Sequence, residues 1–144
     1  MSIIAWDGKT LAADRMATSV GYAATTDKIF RLDANRLVGI AGDLSVGLAV
    51  VEWLRRNEPP EAFPKRENDE FASVLVVYRN GPVVRYENRG VGFVVYDAFT
   101  ASGSGRDFAL MAMHLGKTAE EAVRLTCELS TECGMGVSTL RFDE

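Results

Sequence analysis

The chain has 144 residues, 47% of them hydrophobic and 25% charged, with a formal net charge of −4. That length predicts a single domain over residues 1–144 that buries its core without staples, and the acidic balance with no basic cluster on an aromatic pattern speaks against nucleic acid as a partner. No charged leader followed by an apolar segment is read, and no apolar run is long enough to span a bilayer. The expectation is therefore no membrane partner and a cytoplasmic location.

Ser2 to Trp6 reads as a strand, Asp7-Gly8-Lys9 as a hairpin turn, and Thr10 to Asp14 as the returning strand, because Asp-Gly between apolar runs is a strong hairpin signal. Arg15 to Thr26, rich in small polar residues, reads as a loop. Lys28 to Leu32 and Leu37 to Ala41 form a second hairpin around Asp33-Ala34-Asn35. Asp43 is placed to cap a helix running to about Arg56, with Leu44, Leu48, Val51 and Leu54 on its apolar face. Asn57 to Glu70 carries three of the four prolines and many charges, and reads as a solvated connection.

Phe71 to Tyr78 is strongly β-forming, Arg79-Asn80-Gly81 turns it, and Val83 to Glu87 returns. Gly92 to Asp97 and Phe99 to Ala101 continue the sheet. Ser102 to Gly105 is a glycine–serine turn opening a helix from about Asp107 to Leu115, whose apolar face carries Phe108, Met111, Ala112 and Leu115. Thr118-Ala119-Glu120-Glu121 is a capping box for a helix to about Glu132 that buries Ala122, Leu125, Thr126 and Leu129. Val137 to Phe142 is a last strand. Cys127 and Cys133 have no metal-ligand spacing; they read as a small core residue and a helix-end residue and not as a bridge, which suits a reducing compartment. Trp6 and Trp53 read as core or interface residues. Strands and helices come in blocks, so the class is α+β, with antiparallel sheets and helices on their outer faces.

The chemistry points to the first residues. Ser2 sits directly behind the initiator methionine and ahead of the apolar Ile3-Ile4-Ala5-Trp6. With Met1 removed, Ser2 carries a hydroxyl and a free α-amine on one residue: a nucleophile and its base. The amine's reference pKa of about 7.7–8.0 leaves a usable fraction unprotonated near neutral pH. A serine in that place also simply permits efficient methionine removal. His114, the one histidine, falls in the last turn of a helix, where a cation complements the dipole, so no Ser-His-Asp triad is expected. No metal site and no cofactor are expected.

Five short stretches in the same order resemble the proteasome β-type subunits, and most closely the bacterial HslV-type protease subunit, of the Ntn-hydrolase superfamily. They are Ser2-Ile3-Ile4-Ala5, Leu11-Ala12-Ala13-Asp14, Lys28 opening its strand, Gly39-Ile40-Ala41-Gly42 before the first helix, and Gly103-Ser104-Gly105 before the paired helices. The resemblance implies a four-layer αββα sandwich of two antiparallel sheets flanked by helices. It also implies an N-terminal-nucleophile peptidase in a ring-shaped homo-oligomer, acting on unfolded polypeptide or peptide, with an ATPase unfoldase as a candidate partner. The nucleophile position holds serine where the family usually has threonine; the hydroxyl is the same, without the methyl that restricts the rotamer.

Carried over to this chain, the resemblance makes Ser2 Oγ the attacking atom. Lys28 becomes the cation that lowers the pKa of its amine and hydroxyl, and Asp14 the partner that keeps Lys28 charged. The Gly42 N–H becomes the oxyanion donor, and Ser104 a hydrogen-bonding neighbour of the amine. Thr18 would hold substrate backbone as an added strand, and Ile40 would stand beside the side-chain pocket, hinting at an apolar or mid-sized residue there. By their own chemistry, Asp14 and Lys28 also suit a surface pair, Gly42 a strand-to-helix turn, and Ser104 a helix cap. The rival function is a non-catalytic proteasome-like assembly or scaffold protein. A third reading is a small-molecule amidohydrolase active as an isolated protomer.

Overall fold

The computed structural model describes residues 2–65 and 70–143. Its strands are β1 (Ile3–Trp6), β2 (Leu11–Asp14), β3 (Met16–Ser19), β4 (Tyr22–Thr25), β5 (Ile29–Asp33), β6 (Arg36–Gly42), β7 (Ala72–Tyr78), β8 (Val83–Tyr86), β9 (Phe93–Val95), β10 (Thr100–Gly103) and β11 (Val137–Leu140). The described residues also form three α-helices, α1 (Leu44–Arg55), α2 (Arg106–His114) and α3 (Ala119–Leu129), and a short 3-10 turn at Pro60–Ala62 that follows α1. The strands form three sheets: a four-stranded one ordered β10-β1-β2-β11, the hairpin β3-β4, and a five-stranded one ordered β5-β6-β7-β8-β9. Every pairing in them is antiparallel.

The two large sheets are buried on both faces, and the period of two along each strand decides which residue goes where. In the four-stranded sheet, Ile3, Ala5, Ala12 and Ala101 point toward Ala109, Met113, Ala122 and Val123 of α2 and α3. Their neighbours Ile4, Trp6, Leu11 and Ala13 point the other way, onto Leu37, Ala41, Leu75 and Val77 of the five-stranded sheet. In β6 and β7, Val38, Ile40, Val74 and Val76 alternate with those residues and face Val50, Val51, Trp53 and Leu54 of α1. Three apolar clusters thus bind α2 and α3 to one sheet, that sheet to the other, and the other to α1. The small residues of β1, β2 and β10 let the α2–α3 pair approach closely.

Local signals in the sequence explain most boundaries. Asp43 caps α1 by accepting a hydrogen bond from the Val46 N–H at 3.1 Å. The capping box at Thr118 closes in both directions, with Glu121 N–H donating to Thr118 Oγ1 at 3.2 Å and Thr118 N–H to Glu121 Oε1 at 3.0 Å. Gly47 lets α1 sit on β6, because a Cβ there would run into the Ile40 side chain. Gly47→Ala is accordingly expected to destabilise the protein by about 1–3 kcal/mol in denaturant unfolding, as overpacking outweighs the better helix propensity of alanine. A stabilising effect would mean that α1 does not press on Ile40.

The structure corrects several expectations. Residues 15–26 are not a loop: Met16–Ser19 and Tyr22–Thr25 pair as a hairpin about Gly21, which has φ of 68°. Its strands are largely exposed, so the apolar alternation that would have revealed them is missing. Ser102 and Gly103 belong to β10 and pair with Ile4 and Ile3. α3 stops at Leu129, short of Glu132. On α1, Leu48 is exposed and Gly47, Val50 and Trp53 are buried. On α2, Phe108, Met111 and Leu115 face outward while Ala109 and Met113 are buried. On α3, Leu125 and Leu129 face outward and Ala119 and Val123 join Ala122 and Thr126 inside. On α2 and α3 small side chains such as Ala109, Ala119 and Ala122 help seat the helix while larger apolar ones are left outside.

Cys127 and Cys133 are joined by a disulfide, with Cα atoms 5.1 Å apart, so the expectation of two separate thiols is overturned. The short Ser130–Glu132 turn after α3 folds back and brings Cys133 against the helix it has just left. The connection after α1 is not wholly solvated either: Phe63 packs edge-on against Trp53 at 5.0 Å between ring centroids, while residues 66–69 of that connection lie outside the described residues. Trp6 and Trp53 are buried, as expected of core residues. No helix among the described residues is long and apolar enough to cross a membrane.

Candidate active site

Four strand ends and one turn meet where β1 begins. Ser2 leads into β1 and is buried. On one side Gly103 of β10 packs on its backbone, where a Cβ would collide with the Ser2 carbonyl oxygen. On the other side the Gly42 N–H, at the end of β6, donates to Ser2 Oγ at 3.3 Å. Gly42 has φ of 97°, and a Cβ there would run into the Phe71 carbonyl oxygen. A side chain at this position therefore meets both backbone strain and a clash, and the bare N–H is left facing the hydroxyl.

Asp14, at the end of β2, is fully buried and gathers the surrounding chain. Its Oδ1 accepts from the Ile3 N–H at 3.1 Å and from Lys28 Nζ at 2.9 Å. Its Oδ2 accepts from the Met16 N–H at 3.2 Å and the Gly134 N–H at 3.3 Å. Lys28, just ahead of β5, is only 4% exposed, so the Asp14–Lys28 pair is a buried one and not the surface pair its spacing also allows. Through Asp14 the ammonium group is tied to the residue next to Ser2. Burial pushes the Lys28 ammonium below the ordinary lysine value, while the hydrogen bond and charge of Asp14 act against that shift.

A cleft of about 240 Å³ opens beside these groups, lined by Ala17, Thr18, Lys28, Ile40, Gly42, Asp43, Leu44 and Ser45. Thr18 stands on the exposed hairpin strand β3 at its rim. Ile40 lines the cleft but is 1% exposed and also packs against Gly47 of α1. Asp43 sits at its edge with its carboxyl held below the usual range, first by the Ser45 hydroxyl, which donates at 2.7 Å, and next by the Val46 N–H. Ser104 lies just past β10 with its hydroxyl buried and without a hydrogen-bond partner among the described residues. Met1, whose removal the reading of Ser2 requires, lies outside the described residues.

Ser2, Asp14, Lys28 and Gly42 are thus linked by hydrogen bonds directly or through one neighbour, and Thr18 and Ile40 share the cleft with Lys28 and Gly42. The sequence reading missed Gly134. Its N–H holds Asp14 Oδ2 and its carbonyl oxygen accepts from the Arg15 N–H at 3.1 Å. The signal was present in Gly134-Met135-Gly136, since Met135 and Gly136 both adopt positive φ, 61° and 93°, to bend the chain along β2. Among the described residues no group of three or more histidine, cysteine or carboxylate side chains could hold a metal ion.

The chain is similar in structure to eukaryotic HslV from Trypanosoma brucei, with a TM-score of 0.71 over 96% of this chain and 97% of that one, at 19% sequence identity. No protein-family model and no curated protein matches the sequence. At that identity the likeness speaks for the fold: a mixed α/β chain of three helices and three sheets built like HslV.

Proposed function

We propose that this chain is an N-terminal-nucleophile peptidase, acting through Ser2 after removal of Met1, on a single four-layer αββα domain. The observation that carries the reading is three hydrogen bonds at and beside Ser2: the Gly42 N–H on its hydroxyl, and the Ile3 N–H and the Lys28 ammonium on the Asp14 carboxylate. Three apolar clusters in helix–sheet–sheet–helix succession support the layered fold.

In this reading the freed α-amine of Ser2 takes the hydroxyl proton, directly or through a water. Ser2 Oγ attacks the scissile carbonyl, and the developing oxyanion is met by the Gly42 N–H. The amine then returns the proton to the leaving nitrogen, and water hydrolyses the ester on Ser2. Lys28, tied through Asp14 to the Ile3 N–H that follows Ser2, would stay cationic and favour the unprotonated amine and the ionising hydroxyl. Thr18 on β3 offers its backbone to an extended peptide, and Ile40 sets the depth of the pocket for its side chain. Asp14 and Lys28 position and polarise; Ser104, with its unpartnered hydroxyl, would hydrogen-bond the freed amine.

A ring-shaped homo-oligomer fits the outward-facing Phe108, Met111, Leu115 and Leu129 of α2 and α3, which a lone protomer would leave in water. Enclosure in a ring would also keep such sites from indiscriminate proteolysis. A cytoplasmic setting, an unfolded polypeptide substrate and an ATPase unfoldase that supplies it complete the proposal. Intact mass establishes whether the mature chain starts at Ser2, and a peptide epoxyketone or β-lactone then traps the nucleophile. A covalent adduct on Ser2 supports the peptidase. Its absence on protein proven to lack Met1 supports the non-catalytic scaffold instead.

The same role for Lys28 sets the pH dependence. Burial lowers its pKa, so the cation is lost as pH rises through a value below the ordinary lysine value of about 10.4. Hydrolysis is expected to fall on the alkaline side earlier than a solvent-exposed lysine would allow. Lys28→Arg should move that limb upward, since arginine keeps its proton there. An alkaline limb unmoved by this substitution would remove Lys28 from the mechanism.

A further inference from the structure

We infer that the Cys127–Cys133 bridge is a redox modification site that clamps the turn holding Asp14, so that its oxidation state sets how firmly the candidate active site is held. The inference rests on the reading of Asp14 and Lys28 as part of that site. Cys127 lies in the last turn of α3, partly buried, and Cys133 is buried against the α2–α3 cluster. The next residue, Gly134, gives its N–H to Asp14 Oδ2 and accepts from the Arg15 N–H. Three residues further on, Val137 pairs with Asp14 across β11 and β2. The Gly134 amide is therefore suspended between two anchors, the bridge at 133 and the strand at 137, with the left-handed Met135 and the positive-φ Gly136 between them.

Cutting the bridge removes one anchor and leaves a glycine-rich turn, Gly134-Met135-Gly136, to hold its place by hydrogen bonds alone. A crosslink acts by denying the chain its open conformations, and here those are conformations in which Asp14 loses a donor. Cytosolic disulfides, where they exist, are mostly transient and redox-sensing, and this bridge joins a partly buried Cys127 to a buried Cys133. The step balances with a dithiol as reductant. One of its thiolates attacks Cys127 Sγ and releases Cys133 as the leaving thiolate. Its second thiol then resolves the mixed disulfide, leaving two protein thiols, protonated by the reductant's two protons, and one oxidised reductant.

The test combines denaturing alkylation, hydrogen exchange read by mass spectrometry and peptide hydrolysis, on the full chain with and without dithiothreitol. Oxidised protein should alkylate at neither cysteine. Reduction should speed amide exchange over residues 130–136 on the order of tenfold and slow hydrolysis about tenfold, both reversed on reoxidation. Cys127→Ser should exchange like the reduced protein and ignore dithiothreitol. Alkylation of both cysteines after oxidant treatment, unchanged exchange over 130–136, or equal turnover of the two states by an active protein would each overturn the inference. Faster exchange in a protein that hydrolyses nothing in either state would uphold the clamp and overturn the peptidase reading.

Discussion

Ser2→Ala is expected to reduce peptide hydrolysis by roughly 10³-fold or more while leaving the unfolding midpoint close to that of the parent. The loss is large because in the proposed mechanism the hydroxyl is the group that forms the bond to substrate, and removal of a nucleophile elsewhere costs of that order or more. The fold should tolerate the change because Ser2 is held chiefly by backbone packing on Gly103, and its hydroxyl takes one hydrogen bond, the 3.3 Å contact from Gly42. The measurement is turnover of a fluorogenic peptide together with thermal unfolding. Full activity in Ser2→Ala would end the proposed mechanism, whatever the fold.

Asp14→Ala is expected to be the most destabilising single substitution in the site, by about 3–5 kcal/mol, with a fall in Tm of roughly 10–20 °C. The carboxylate faces a 95%-buried lysine side chain and three backbone N–H groups, from Ile3, Met16 and Gly134. Its removal leaves a cation and three donors without acceptors in a place water does not easily reach. The excess over an ordinary cavity comes from the orphaned charge, so adding Lys28→Met to Asp14→Ala should recover part of the loss. Exposed pairs such as Glu52–Arg55 should cost under about 1 kcal/mol when broken, and they serve as the internal control. A loss of that small size at Asp14 would mean the pair is not buried in solution.

The order of the elements was legible because turns and caps carry their own chemistry. Asp7-Gly8, Asp43 and the Thr118–Glu121 box each placed a boundary within a residue or two. Ser2, Asp14, Lys28 and Gly42 were legible as a set only through their resemblance to a family; spacing alone left Asp14 and Lys28 equally suited to the surface. What could not be read was whatever depends on packing partners. The face of α2 is one such case: helical spacing of large apolar residues points to Phe108, Met111 and Leu115, yet these face outward. In fact small residues are what let that helix lie close on β1 and β10. The hairpin of β3 and β4 has little buried surface and so leaves no alternation to detect. The Cys127–Cys133 bond depends on a tight reversal after α3 that no residue pattern announces.

The four contacts of Asp14 reach beyond stability. Two donors fall on each carboxylate oxygen, and a carboxylate has about four lone-pair directions to offer. Every one of them is spoken for among the described residues, so Asp14 could turn toward a substrate donor only by releasing one of the groups it gathers. Asp14 thus works as a knot in the scaffold, one side chain that fastens the start of β1, the chain after β2, the turn ahead of β11 and Lys28 to a single point.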